Sequence, residues 1–243
     1  MIFNDDLCFI HVPKAAGMSV SKFLLKNLKN KNIHYLLPKG HATADEKKIN
    51  GIQVHEGIRH ENLEEAEVRL KKFNKKLSNF KVVIAVIRNP YDLEVSRFKY
   101  LQNGHEWDSG KDAKLAKSGN FKDFALQSSF WGKSSAEFEK YYSLRDSILD
   151  NMIILRFEDL SNQINIFLND YLESNYKLGK TNSTKRKKYC TYYDADSEKA
   201  VYNRYKWIFD KGFYSREYFH KNSFLKSLIS KMKSHNTLIQ YKK

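Results

Sequence analysis

Cysteine is nearly missing from this chain: Cys8 and Cys190 are the only two in 243 residues. That excludes a disulfide-stapled scaffold and a cysteine-built zinc cluster, and it suits a reducing compartment. Proline and glycine are scarce too, at 3 and 10 residues, which excludes collagen-like and Pro/Gly-rich disordered classes. Long hydrophobic runs are absent. The longest wholly apolar stretch, Val82–Ile87, falls far short of the ~20 residues that a membrane-spanning helix needs. The opening MIFNDDLCFI carries two aspartates where an export signal carries basic residues. The expectation is a cytoplasmic protein.

Positive charge is what the chain has in excess. Its 43 Lys and Arg against 28 Asp and Glu leave +15. Such a balance suggests an anionic partner (nucleotide, nucleic acid, acidic glycan or membrane surface), or else a lysine-rich solvated surface. The length suits one large domain or two small ones. No linker, repeat or low-complexity block divides it, so one domain is expected over residues 1–220. A basic amphipathic tail follows over 221–243, with Phe224, Leu225, Leu228, Ile229 and Met232 at helical spacing. The tail is expected to pack on the same domain, with peripheral membrane contact as its other use.

Short apolar runs mark the strands. Leu7–Val12, Lys81–Ile87 and Met152–Phe157 read as buried strands, and Ile33–Leu37, in a stretch with less pattern, as a further strand. Helical spacing links Val20, Phe23, Leu24 and Leu28, and again Leu63, Ala66, Leu70, Phe73 and Leu77. Tyr91–Leu101 reads as a helix capped by Asn89, with Pro90 at its first position and Asp92 in its first turn. Ala44–Ile49, Phe121–Ser128, Glu137–Leu144, Gln163–Leu172 and Ser197–Phe209 complete the expected helices. Buried strands alternating with amphipathic helices imply an α/β fold, a central parallel sheet flanked by helices.

Two places can hold an anion. The turn Pro13–Ser19 follows a strand and opens a helix, at the sheet edge where open α/β folds bind ligands. Ala15, Ala16 and Gly17 allow close backbone approach. Successive N–H groups there, with Met18 beside them and the Ser19 hydroxyl, can cradle a phosphate, and Lys14 adds charge. The turn is no Walker A loop, because its lysine precedes the glycine instead of following it. The second place is Arg88, at the end of the clearest strand, with Ser96 about two helical turns past Pro90. A guanidinium fork and a hydroxyl aimed at one spot clamp a phosphate. Each has a plainer reading: an ordinary strand–helix turn with a surface lysine, and an arginine capping a strand end.

With these residues in view, a family resemblance emerges. FIHVPKAAGMSV resembles the 5′-phosphosulfate loop of sulfotransferases, and VIRNPYDLEVSRF resembles their 3′-phosphate motif. ILRFEDL is similar to the strand and turn that follow later in that family. GHATADE looks like a segment of its bacterial members, and the stretch from Asn182 to Tyr214 is similar to its closing region. The resemblance runs from about residue 7 to 214 with its motifs in order. It implies a P-loop-like sulfotransferase fold. It also implies sulfuryl transfer from 3′-phosphoadenosine 5′-phosphosulfate (PAPS) to an acceptor hydroxyl or amine.

On that resemblance Lys14 would bind the 5′-phosphosulfate and stabilise the bridging oxygen as it departs. Gly17 and Ser19 would donate to the same phosphate, Arg88 and Ser96 would hold the 3′-phosphate, and Lys185 and Arg186 would close over the nucleotide. No metal is implied where Lys and Arg neutralise the phosphates. In-line transfer of this kind draws its acceleration from positioning and electrostatics. The general base that an acceptor hydroxyl needs is sought among His41, Glu46, His55, Glu56 and His60, with His41 leading because it lies in the GHATADE segment. His11 reads as a packed strand residue. Ala15 and Met18 stand where threonines are common in the family, which removes two hydroxyl donors, and Leu93 replaces a frequent arginine.

The acceptor expected is a carbohydrate, from the family's glycan members and from the 15 Tyr and 3 Trp that could stack on sugars. A nucleotide-dependent kinase is a competing reading, weakened by the missing Gly-Lys-Ser/Thr. A basic nucleic-acid binder is another, motivated by the Lys177–Lys188 cluster and the tail; nucleic acid is the less favoured partner.

Overall fold

A computed structural model of the chain describes residues 1–104, 110–130, 135–173, 178 and 186–219. The tail 221–243 and Lys185 lie outside the described residues. In chain order the elements are β1 (Ile2–Phe3), β2 (Leu7–Ile10), α1 (Gly17–Asn27), β3 (Ile33–Leu37), α2 (Ala44–Lys47), β4 (Ile52–Glu56) and α3 (Leu63–Leu70). There follow β5 (Val82–Ile87), α4 (Pro90–Gln102), α5 (Lys111–Lys117), α6 (Phe121–Gln127), α7 (Ser135–Glu139), β6 (Met152–Arg156), α8 (Leu160–Leu168), α9 (Ala195–Arg204) and α10 (Lys206–Asp210). They fall into two compact units. The described residues of Met1–Arg88 and Lys140–Asn182 form one, and those of Asn89–Glu139 and Ser183–Lys243 form the other.

The first unit is built on a six-stranded sheet in the order β4-β3-β1-β2-β5-β6. The α/β class with helices flanking a sheet is as expected. The pairings β2–β5, β5–β6 and β3–β4 are parallel. The short β1 runs antiparallel to both β2 and β3, which makes the sheet mixed. Asn4 creates that exception. Its Oδ1 accepts from the N–H groups of Asp6 at 3.0 Å and Leu7 at 2.8 Å, a side-chain mimic of a turn that folds β1 back on β2. Phe3 then stacks on His34 and meets the edges of Phe73 and Phe80, so the two-residue strand is anchored by one ring.

β5 is buried at every position, as its apolar, β-branched sequence requires of a strand covered on both faces. The helix expected to reach Leu77 ends instead at Leu70. Asn74 adopts φ 53° and short 3-10 turns carry the chain onward. Asparagine is one of the few residues that tolerates the left-handed region, so it serves as a stop. At its start α3 carries a capping box between Asn62 and Glu65.

The second unit is helical and closes around buried charge. Arg97 of α4 is fully buried. Its Nη2 donates to Glu94 Oε2 at 2.8 Å and to Ser128 Oγ at 2.6 Å, and its Nη1 donates to Asp112 Oδ2 at 2.7 Å. Arg204 of α9 donates to the carbonyls of Ala125 and Ser128, both at 2.7 Å. The Tyr205 hydroxyl donates to the other oxygen of Glu94. The start of α4 follows the sequence expectation: Asn89 Oδ1 accepts from Tyr91 N–H at 3.0 Å, with Pro90 at the first helical position. The helical stretch expected over Ser197–Phe209 is two helices, α9 and α10, which meet at Tyr205.

Candidate functional site

Because β1 is antiparallel to both its neighbours, β2, β3, β4, β5 and β6 all point the same way. Their carboxyl ends therefore share one edge of the first unit. The segments leaving that edge are residues 11–16 after β2, 38–43 after β3, 57–62 after β4, and Arg88 after β5. Most of the candidate residues read from the sequence thus emerge from a single sheet edge, where open α/β folds bind ligands.

The loop between β2 and α1 has an unusual backbone. Lys14 and Ala16 both take positive φ, 59° and 58°, a region that costs a residue with a Cβ about 1 kcal/mol or more. Left-handed residues on either side of Ala15 give the alternating pattern that turns successive N–H groups into an anion-binding concavity. Ala16 leads into α1 with no side-chain cap, and no acidic residue occupies the first turn. By contrast α2, α3 and α9 each begin with a capping box. Among the described residues, the positive end of the α1 dipole thus has no side-chain cap and no carboxylate in its own first turn. Ser19 is buried in that first turn, and Lys14 and Met18 are half-buried.

Gly17 is required by contact. A Cβ there would lie 1.9 Å from His11 Cδ2 and 2.0 Å from His11 Nε2, so the imidazole packs directly on the first residue of α1. His11 is buried, and desolvation, with His60 and Arg59 nearby, holds its pKa well below the ordinary 6.5. It is a neutral packing residue, in keeping with the sequence reading.

Arg88 joins the two candidate anion motifs. Its Nη1 donates to the Lys14 carbonyl at 2.7 Å, and its guanidinium lies 4.0 Å over the Phe157 ring. Two residues 74 apart in sequence are therefore hydrogen-bonded across the sheet edge. Phe157 belongs to the ILRFEDL segment, so parts of three motifs meet in this first unit.

The segment after β4 lies against the same loop. His60 Nδ1 is 3.0 Å from the His11 carbonyl. A carbonyl only accepts, so Nδ1 carries the proton and a neutral ring keeps its lone pair on Nε2. The rings of His60 and His11 meet edge to face at 4.6 Å. Tyr141 OH donates to the His60 carbonyl at 3.0 Å and fixes the backbone. Beside it, Arg59 Nη1 is 2.8 Å from Met18 Sδ in the first turn of α1. Arg59 is not among the candidates read from the sequence, where its only signal is a basic residue immediately before a candidate histidine.

The remaining base candidates divide by what they already do. Glu46 is buried, and its carboxylate accepts from Thr43 N–H at 2.9 Å in the α2 capping box. His55 Nε2 sits 3.0 Å from His34 Nδ1, with both rings against Phe73. His41 and Glu56 are exposed at the sheet edge.

Ser96 and Arg186 lie in the second unit. Ser96 is half-buried on α4. Arg186 Nη2 meets Asp92 Oδ1 at 2.5 Å, and both line a cleft of about 480 Å³ together with Lys187, Lys188, Tyr189, Cys190 and Glu217. Tyr189 donates to Glu217 at 3.0 Å, and burial beside that carboxylate raises its pKa above the usual phenol range. Among the described residues no group of three or more His, Cys, Asp or Glu side chains is arranged to hold a metal ion. Nor is any described helix long and apolar enough to cross a membrane.

No protein-family model and no curated protein sequence matches this chain. Among solved structures it is similar to mouse sulfotransferase SULT7A1 complexed with PAP, at 16% identity and a TM-score of 0.41. The match covers 68% of this chain and 57% of that one, so this chain spans little more than half the length of that neighbour.

Proposed function

We propose that this chain is a PAPS-dependent sulfotransferase whose donor site is the loop between β2 and α1. The observation that carries the reading is the hydrogen bond from Arg88 to the Lys14 carbonyl. It brings the residues of two motifs, each resembling a sulfotransferase nucleotide motif, to one edge of one sheet. The strained backbone at Lys14 and Ala16 and the uncapped start of α1 fit an anionic ligand.

PAPS supplies an activated sulfuryl group. Lys14 neutralises charge as it builds on the oxygen between phosphorus and sulfur, a contact of the kind that contributes ~3–4 kcal/mol. Gly17 and Ser19 donate to the 5′-phosphate, and Arg88 holds the 3′-phosphate. Ser96, Lys185 and Arg186 join the nucleotide on the resemblance alone. His60 takes the acceptor proton on Nε2, in preference to His41, because its Nδ1 proton is already committed to the His11 carbonyl. The acceptor oxygen forms a bond to sulfur as the bond from sulfur to the phosphate oxygen breaks. The products are a sulfated acceptor and 3′-phosphoadenosine 5′-phosphate (PAP). The acceptor class is a carbohydrate hydroxyl and the compartment the cytoplasm; both cysteines are free.

Melting in the presence of PAP, ADP and AMP tests the donor site. A ligand at 100 times its dissociation constant adds ~2.7 kcal/mol. PAP alone is expected to raise the melting temperature, and Arg88→Ala should abolish that increment. Equal responses to all three nucleotides, or none, would sink the reading. Transfer of label from PAPS to a glycan panel tests the acceptor class; labelling confined to phenols or peptides would overturn it.

A further inference from the structure

We infer that Arg59 binds the sulfonate of the donor, and so distinguishes charged donor from spent nucleotide. The inference deepens the reading of the β2–α1 loop as a PAPS site and rests on it.

Arg59 is a half-buried guanidinium in poor company. Its Nη1 faces the thioether of Met18 at 2.8 Å, and a thioether is a weak acceptor. Its Nε is buried and has no acceptor. No carboxylate among the described residues pairs with it, although Arg69, ten residues on, is paired with Glu61 at 2.8 Å. A partly desolvated guanidinium with a buried, unused donor is costly unless an anion meets it.

The sheet order says which part of the ligand that anion is. β5, which delivers Arg88, lies on one side of β2. β3 and β4, which lead to Arg59 and His60, lie on the other. The phosphate loop is therefore flanked by one guanidinium on each side. If the nucleotide's 3′-phosphate lies toward Arg88, the group extending past the 5′-phosphate lies toward Arg59. In PAPS that group is the sulfonate. His60, bracketed by the His11 carbonyl and by Tyr141, then stands beside the sulfur under attack. Met18 occupies a position where the resembling motifs carry a threonine, and Arg59 supplies a donor at the very residue that lacks a hydroxyl.

Calorimetric titration with PAP and with PAPS, without acceptor, separates the possibilities for the wild-type chain, Arg59→Gln and Arg59→Lys. Arg59→Gln is expected to lose about ten-fold or more of PAPS affinity, the usual cost of one charge-assisted hydrogen bond, while PAP affinity changes less than about two-fold. Arg59→Lys should fall between, keeping the charge without the fork; it also stands in if the glutamine variant does not fold. Equal losses toward both nucleotides, or no loss toward either, would overturn the assignment and leave the donor site standing. A wild-type chain that binds neither nucleotide would overturn the donor site, and the role of Arg59 with it.

Discussion

At the residue scale, Gly17 and His11 show how one contact can fix the loop between β2 and α1. The imidazole fills the space where any larger residue at position 17 would place its Cβ, at under 2.1 Å from two ring atoms. Neither partner yields cheaply, because His11 is buried and its carbonyl is engaged by His60. Gly17→Ala should therefore cost ~1–3 kcal/mol as overpacking and lower PAP affinity with it. Urea unfolding and nucleotide titration of the variant check this. A variant as stable as wild type, with unchanged affinity, would mean that the ring simply swings aside. The glycine was visible in the sequence as part of a loop; the ring that enforces it was not, because packing partners across a turn leave no periodic signature.

At the element scale, α4 carries the second unit's charge network. Arg97 has no exposure, and Glu94 below it is held in its ionised form against the cost of burial by Arg97 and Arg204. Removing one member strands the others, so Arg97→Met should destabilise by about 3–5 kcal/mol. Chemical denaturation measures it, and a loss under ~1 kcal/mol would show that water reaches Glu94. The elements that were legible share one property, a dense apolar run or a clear cap. β3 and β5 and the start of α4 fall where the sequence puts them. β4 is not legible because IQVHE is an edge strand with polar, mostly exposed residues, and β1 because two residues carry no pattern. The early stop of α3 at Leu70 was hidden by apolar residues that continue at helical spacing through Leu77 while the backbone leaves the helix. At the candidate site, the positions of Lys14 after β2 and Arg88 after β5 are legible from strand ends. The position of Arg59 is not, since it depends on β4, whose sequence carries no strand pattern.

At the scale of the whole molecule, buried and paired groups set the response to acid. Desolvation keeps His11 below the ordinary imidazole value of 6.5, and His34 and His55 are lowered for the same first reason. A lowered histidine stays neutral in the fold while the unfolded chain takes up protons, so stability is complete above 6.5 and falls as pH drops below it. Asp5 is lowered by Lys75. Asp194, an exposed residue, is lowered against a desolvation cost by hydrogen bonds from Ser197 and from Lys122. Their contributions are present above the ordinary 3.8 and are lost on further acidification. Both effects have one sign. Urea midpoints should fall in two stages from neutral pH downward, and the His11 ring resonances should not titrate through 6.5. A midpoint that rises on acidification would contradict the burial of His11.

The sheet also dictates an order of assembly on the ribosome. Val83 of β5 finds its partner in Met152 of β6, so about 70 residues must be synthesised between the two, several seconds at ordinary elongation rates. For that interval β5, the most apolar of the described strands, waits with one hydrogen-bonding edge open, the condition in which strands pair with the wrong neighbour. Nascent chains released between Ile87 and Met152 should therefore be the most dependent on chaperones, and the arrival of β6 is the event that ends their exposure.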